Sequence, residues 1–146
     1  MDGSEIENLV NMLDCKAALA YEALKQLLTA SAASDAVYRH FDRFAEMLTD
    51  DNSYVRTRGF QLIAANARWD TEGKTAAVLD RLLARITDEK PITARQCIKD
   101  LPEIAKHLPE LSFAIRQALE TADTSGYPGS MRPLVEKDIL AALKQL

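Results

Sequence analysis

Two stretches of the chain repeat one pattern. Residues 50–69 are DDNSYVRTRGFQLIAANARW, and residues 88–107 are DEKPITARQCIKDLPEIAKH. In each, an aspartate begins a short turn that leads into an arginine and an apolar stripe at helical spacing. A shift of 38 residues superimposes the leading aspartates, and the arginines Arg56 and Arg95 need one residue more. The repetition predicts two copies of one structural unit.

The rest of the chain has the same helical character. Apolar residues recur three and four positions apart almost throughout, and no stretch has the strict alternation of a half-buried strand. The breaks in this pattern predict eight helices, at about 4–13, 16–31, 35–49, 53–68, 74–87, 91–107, 110–122 and 131–145.

Local chemistry supports these boundaries. Asn52 or Ser53 can cap a helix start, and Pro91 falls in a first turn, where its missing N–H costs little. Pro102 lies inside a predicted helix, where it removes one backbone hydrogen bond, and we expect a kink there. Gly59 also lies mid-helix, at a cost of roughly 1 kcal/mol against alanine. We therefore expect another backbone to approach Gly59 closely.

A period near 40 residues with two helices per unit is typical of a helical-pair solenoid. One pair cannot bury its own apolar stripe, and neighbouring pairs complete the core by stacking. The sequence therefore predicts an all-α fold, a single domain over residues 1–146. Its expected architecture is a short right-handed α-solenoid of about four helical pairs.

The repeated pattern resembles the HEAT repeat, a member of the armadillo-like class. Asp50, Val55-Arg56 and Gly59 follow its order of an aspartate, a Val-Arg pair and a small residue. The whole chain is also similar to small bacterial HEAT-type proteins with stretches such as NSYVRTRG and DEKPITARQCIK. Some of these have a name taken from the SufB/SufD iron–sulfur assembly proteins, and that name implies an accessory role in iron–sulfur cluster assembly.

Composition restricts the protein class. The net charge is −4, from 18 basic and 22 acidic residues, which does not favour a generic nucleic-acid binder. The acidic start of the chain lacks the apolar region of a secretory signal, and no apolar run approaches the roughly 20 residues that span a bilayer. With two cysteines and no disulfide framework, a cytoplasmic location without membrane contact is expected.

No motif indicates catalysis or a cofactor. Phosphate-binding glycine loops, zinc-protease patterns and nucleophile elbows are absent from the sequence. Cys15, His40, Cys97 and His107 have no recognised ligand spacing, and Cys97 is more simply a small core residue at the place of Gly59. We therefore expect a protein that is not an enzyme and that uses no metal or cofactor.

Charge differs between the two helices of each pair. The first-helix segments, 1–14, 34–51, 70–89 and 109–128, are each net negative. The second-helix segments, 15–33, 52–69, 90–108 and 129–146, are each net positive. In a HEAT-type stack the second helices line the concave face, so the resemblance implies that this face is basic. The candidate partner-binding cations are Arg56, Arg58, Arg68, Arg95, Lys99 and Lys106.

These cations suggest a non-catalytic interaction or scaffolding module that binds an acidic segment of another protein. The same surface could be a solvated charged face without a partner. A second hypothesis is nucleic-acid binding, in the manner of HEAT-like DNA glycosylases, which this layout resembles. The resemblance also implies a ladder in which Arg56 and Arg95 pair with the turn aspartates Asp50 and Asp88. Arg58, Lys99 and Lys106, by contrast, are expected to be free for binding.

The segment TADTSGYPGS, residues 121–130, is the longest expected turn. Gly126, Pro128 and Gly129 prevent a helix from continuing through it. The sequence predicts an irregular, protease-sensitive connection, in which Tyr127 would be the anchor if the segment were packed.

Overall fold

The computed structural model describes all residues, 1–146, and contains nine α-helices and no β-strand. The helices are α1 (Gly3–Asn11), α2 (Ala17–Ala33), α3 (Phe41–Met47), α4 (Ser53–Asn66), α5 (Lys74–Ala77), α6 (Leu79–Leu83), α7 (Pro91–His107), α8 (Ser112–Glu120) and α9 (Arg132–Lys144). Short 3-10 turns adjoin them at Tyr38–His40, Ala67–Trp69, Ala84–Thr87 and Pro109–Leu111. The predicted all-α class is confirmed.

The prediction of one helix over residues 74–87 is wrong. That region forms α5, α6 and a 3-10 turn, because Val78 leaves helical geometry at φ −112° and ψ 18°. Gly73, which precedes α5, is left-handed at φ 75°. Asp70 accepts hydrogen bonds from the backbone N–H groups of Lys74 and Thr75, so its carboxylate organises the start of this segment.

The sequence located the main helix starts well. Asn52 is the N-cap of α4, and its side chain accepts a hydrogen bond from the Tyr54 N–H at 2.8 Å. Pro91 begins α7, as expected for a residue without an N–H. The helix α7 then continues through Pro102 to His107 without a break.

The four long helices α2, α4, α7 and α9 contact one another in chain order. Helix α1 packs on α2, α3 packs on α4, and the 3-10 turn after α6 packs on α7. Together they enclose one apolar core, in which Phe41, Phe44, Phe60 and Ile98 are almost completely buried. The core therefore lies between the long helices and the shorter helices that precede them.

Gly59 lies where α3 packs tightly against α4. A Cβ at this position would lie 2.7 Å from the Cβ of Met47 and 2.8 Å from the backbone oxygen of Phe44. The predicted close approach of another backbone is confirmed. A glycine in mid-helix lowers helix propensity, but here the absence of a side chain allows α3 and α4 to pack tightly.

A buried ion pair connects α4 to the turn before α7. Arg56 donates from Nε and Nη2 to the two carboxylate oxygens of Asp88, at 2.8 Å each, and both side chains are buried. Its Nη1 donates to the backbone oxygens of Asp50 and Asp51. Arg85 also pairs with Asp88. The expected aspartate–arginine contact therefore exists, but it joins Arg56 to the aspartate of the following copy.

The pKa of Asp88 reflects this environment. Burial opposes its ionisation, but hydrogen bonds from Arg56 and from the Lys90 N–H, together with the charge of Arg85, keep the pKa of its carboxyl below the usual range. Asp88 is therefore a charged, fully paired group within the fold.

The segment 121–130 is anchored to the same turn. Tyr127 donates its hydroxyl hydrogen to the backbone oxygen of Asp88, and Thr124 is buried. Tyr127 also packs against the apolar core. The connection between α8 and α9 is therefore irregular, as expected, and it adds Tyr127 to the groups that contact Asp88, which we call the Asp88 node.

We predict that Asp88→Asn destabilises the protein by roughly 3–5 kcal/mol, because it leaves the Arg56 charge buried without its partner. Chemical denaturation monitored by circular dichroism measures the change. Asp80→Asn, at an exposed acid on α6, is the matched control and should change stability by less than about 0.5 kcal/mol. Equal stabilities of the two variants would contradict the structural role of the pair.

Gly59→Ala should destabilise the protein by about 1–3 kcal/mol, because overpacking against α3 exceeds the gain in helix propensity. Gly126→Ala is the control, since a Cβ there meets no atom within 4 Å and the backbone is not left-handed. Thermal unfolding of both variants checks the prediction, and a stabilised Gly59→Ala would show that α3 can move away.

Candidate functional site

Three large side chains are exposed on the surface shared by α2, α4 and α7. Tyr21, Tyr54 and Ile92 are 60%, 70% and 73% exposed. Each lies in the first two turns of its helix. All three side chains line one cleft of about 620 Å³. Exposed aromatic and apolar side chains grouped around a cleft are typical of a contact surface for another molecule.

The lining of this cleft has no carboxylate. Its charged members are Arg58 and Lys90, in a protein whose net charge is −4. The Arg58 guanidinium lies 6.0 Å from the ring centroid of Tyr54, a cation–π distance. Uncharged polar side chains also line the cleft, namely Ser53, Thr57, Gln61, Thr93 and Gln96. The cleft therefore combines apolar contact area with hydrogen-bonding groups and positive charge.

A second, smaller cleft of about 260 Å³ continues along α4. It is lined by Leu28 of α2, by Ala65 and Arg68 near the end of α4, and by Asp100 and Glu103 of α7. Gln61 lines both clefts, so they are neighbours along α4 between α2 and α7, and we call the two together the α4 groove. From Tyr54 to Arg68 it follows α4 for about 21 Å, at 1.5 Å per residue.

The structure removes Arg56 and Arg58 from the surface available to a partner. The Arg56 guanidinium is buried and donates its hydrogen bonds to Asp88 and to the backbone of its own turn. Arg58 is 9% exposed, and its Nη1 donates to the backbone oxygen of Leu13 at 2.9 Å. The expectation that Arg58 is free is therefore wrong, because its side chain reaches across to the end of α1.

The four other candidate cations are dispersed. Arg68 pairs with Glu103 at 3.4 Å, and Arg95 pairs with Asp138 of α9 at 2.6 Å. The ladder partner expected for Arg95, Asp88, is thus replaced by an aspartate on the next long helix. Lys99 and Lys106 are exposed on α7, outside the lining of the groove. The six cations do not form one basic patch.

Few interactions offset the desolvation of the Asp100 carboxylate. Its hydrogen bond is a long one, 3.5 Å from the Gln96 amide nitrogen. Burial raises the pKa of Asp100 to about 6, and the nearby charge of Glu103 acts in the same direction. Glu103 itself is shared between Arg68 and the His107 ring nitrogen, 2.9 Å away. This end of the groove is therefore acidic.

The two cysteines have different environments. Cys97 is completely buried in α7, and burial raises the pKa of its thiol, whereas Cys15 is exposed. No group of three or more histidine, cysteine, aspartate or glutamate side chains has an arrangement that could bind a metal ion. Cys97 occupies the core position predicted for it.

None of the helices combines the length and the apolar character needed to cross a bilayer. Comparisons with models of protein families, with curated proteins and with solved structures found no match.

The distribution of charge does not predict the exposed apolar side chains of the groove, but the repeated pattern does indicate two of them. Tyr54 and Ile92 are both the second residue of their helix, so they occupy the same place in the two copies of the repeated pattern. A large apolar residue just after a polar turn lies outside the stripe that packs into the core. Tyr21 has no such repeated counterpart, and only the fold brings it to the cleft.

Asp100 allows a test based on pH. Because its pKa is raised in the folded protein, ionisation of Asp100 opposes folding as the pH rises through about 6. Asp100→Asn is neutral at every pH, so it should stabilise the protein by about 1–2 kcal/mol near pH 8 and by almost nothing near pH 4. Urea denaturation at both pH values measures this, and a gain confined to low pH would contradict the assignment.

Proposed function

We propose that this chain is a non-catalytic, HEAT-like interaction module that binds a short acidic segment of a partner protein in the α4 groove. The observation that carries the proposal is the cleft at Tyr21, Tyr54 and Ile92, where these exposed side chains lie beside the exposed cation Lys90 and no carboxylate lines the cleft.

The architecture in this proposal is a right-handed solenoid of about four helical pairs. Its support is the chain-order contact of α2, α4, α7 and α9, each preceded by shorter helical segments that pack against the long helices. The Arg56–Asp88 pair adds to it, because it joins the two copies of the repeated pattern as a ladder between adjacent units would. In such a stack the long helices form one continuous face.

Protein segments fit this face better than nucleic acid does. Tyrosine and isoleucine side chains at a cleft supply apolar area that a partner can bury, and Lys90 supplies a charge for a carboxylate. A nucleic acid along the groove would meet Asp100 and Glu103 at its other end. A polyanion requires a continuous positive path, and this groove does not provide one.

The test is selection from a phage-displayed library of random peptides of about twelve residues, with the purified protein as bait. We expect enrichment of sequences that combine aromatic or aliphatic residues with aspartate or glutamate. A synthetic version of an enriched peptide should lose at least about tenfold in affinity for the Tyr54→Ala/Ile92→Ala variant, since exposed anchors at a cleft contribute most of the binding.

Phe113→Ala is the matched control, because Phe113 is 76% exposed on α8, outside the groove. It should bind the peptide as the wild type does, and both sets of variants should keep wild-type stability to within about 0.5 kcal/mol. Enriched peptides that bind the double variant as tightly as the wild type would overturn the proposal. Tight, salt-sensitive binding of a single-stranded oligonucleotide in place of peptides would favour the nucleic-acid hypothesis.

A further inference from the structure

The two ends of the α4 groove have opposite charge. The exposed cation Lys90 lines the end near the helix starts, and Asp100 and Glu103, together with Arg68, line the other end. A uniformly acidic segment would therefore find a favourable site at one end only. The opposite charges select for a ligand that is itself bipolar.

Asp100 differs from the other buried or half-buried aspartates of the fold. Asp88 is paired with two arginines and Asp138 with Arg95, and Asp70 accepts hydrogen bonds from the Tyr38 hydroxyl and two backbone N–H groups. Asp100 makes no ion pair and has only the long contact from Gln96, although the charge of Lys99 favours its ionised form. A half-buried carboxylate without a cation costs stability. Such a cost is typical of groups that bind another molecule.

The floor of the groove has hydrogen-bonding groups that the fold does not saturate. The Gln61 amide lies between the two clefts and makes no hydrogen bond within the protein, and the Gln96 amide has only the 3.5 Å contact with Asp100. Primary amides can donate to and accept from a peptide backbone at once. An extended segment exposes such backbone groups, whereas a helix satisfies its own.

The spacing of the two charged ends follows from α7. Lys90 immediately precedes α7 and Asp100 lies within it, so they are roughly 15 Å apart along the helix axis at 1.5 Å per residue. An extended chain advances about 3.3 Å per residue. Two side chains of a bound segment that meet Lys90 and Asp100 are therefore about four to five residues apart.

On this basis, and resting on the proposed function, we propose that the segment bound in the α4 groove is extended and bipolar. An aspartate or glutamate of the segment pairs with Lys90. A lysine or arginine, about four to five residues away, pairs with Asp100 and Glu103. Apolar side chains between or beside them contact Tyr21, Tyr54 and Ile92.

This arrangement makes binding selective. A base at the Asp100 end restores the pairing that the fold leaves incomplete, and it adds to Glu103, which Arg68 neutralises only in part at 3.4 Å. A segment that lacks the base leaves the Asp100 carboxylate half-buried and unpaired. A segment bound in reverse would place like charges together at both ends, which is strongly unfavourable.

The experiment repeats the random-peptide selection on wild type and on the Asp100→Asn/Glu103→Gln variant. Peptides selected by the wild type should contain a lysine or arginine about four to five positions from an acid. Those selected by the variant should keep the acidic and apolar positions and lose the preference for a base. Asp80→Asn/Glu110→Gln, at two exposed acids outside the groove, is the matched control and should select the wild-type pattern.

A double-mutant cycle then isolates the contact between the peptide base and the carboxylates of Asp100 and Glu103. Replacing the base of a selected synthetic peptide by glutamine should weaken its binding to wild type by about fivefold and leave its binding to the Asp100→Asn/Glu103→Gln variant unchanged. Fluorescence anisotropy of the labelled peptides gives the dissociation constants.

The outcomes separate this inference from the proposed function. Selected peptides that depend on Tyr54 and Ile92 but carry no base at a fixed spacing would overturn the inference and leave the proposed function standing. A base that the Asp100→Asn/Glu103→Gln variant selects equally well would also overturn the inference, because the base would bind elsewhere. Selection that is independent of Tyr54 and Ile92 would overturn both.

Discussion

The buried pair of Arg56 and Asp88 is the interaction on which the rest of the structure depends. It joins the first turn of α4 to the turn that precedes α7, and the remaining guanidinium nitrogen of Arg56 secures the backbone of its own turn at Asp50 and Asp51. The starts of α4 and α7 are thereby fixed relative to each other. Tyr54 and Ile92 lie at those starts, so the pair joins the two helices that carry these exposed side chains.

A buried ion pair is a costly means of joining two helices, since desolvation of both charges offsets much of their attraction. Here the node has several additional partners. Arg85 and the Lys90 N–H bind the Asp88 carboxylate, and Tyr127 of the α8–α9 connection binds its backbone oxygen. An apolar substitute could give comparable stability, but it would not fix a single geometry among these groups. The benefit of the pair is therefore a defined register between neighbouring helices.

Features encoded locally could be predicted from the sequence, and features encoded by tertiary contact could not. The bounds of α7, the Asn52 cap and the close approach at Gly59 follow from proline, asparagine and glycine chemistry over a few residues. The burial of Arg58 has no such signal, because its acceptor is the backbone oxygen of Leu13, far away in the sequence. Counting charges by helix treated Arg58 as a surface group for this reason, and the exposed apolar side chains of the groove were overlooked.

Asp88 and Asp100 are both partly or fully buried aspartates, but they differ in the partners that the fold gives them. Asp88 is buried among two arginines and a backbone donor, and these partners keep its pKa low despite burial. Asp100, on the α7 helix that follows, has burial without such partners, and its pKa is raised to about 6. The same residue type is therefore held in ion pairs by the fold in one place and left without an ion pair in the other. Asp88 therefore belongs to the scaffold that joins α4 to the start of α7, whereas Asp100 lines the groove between these helices.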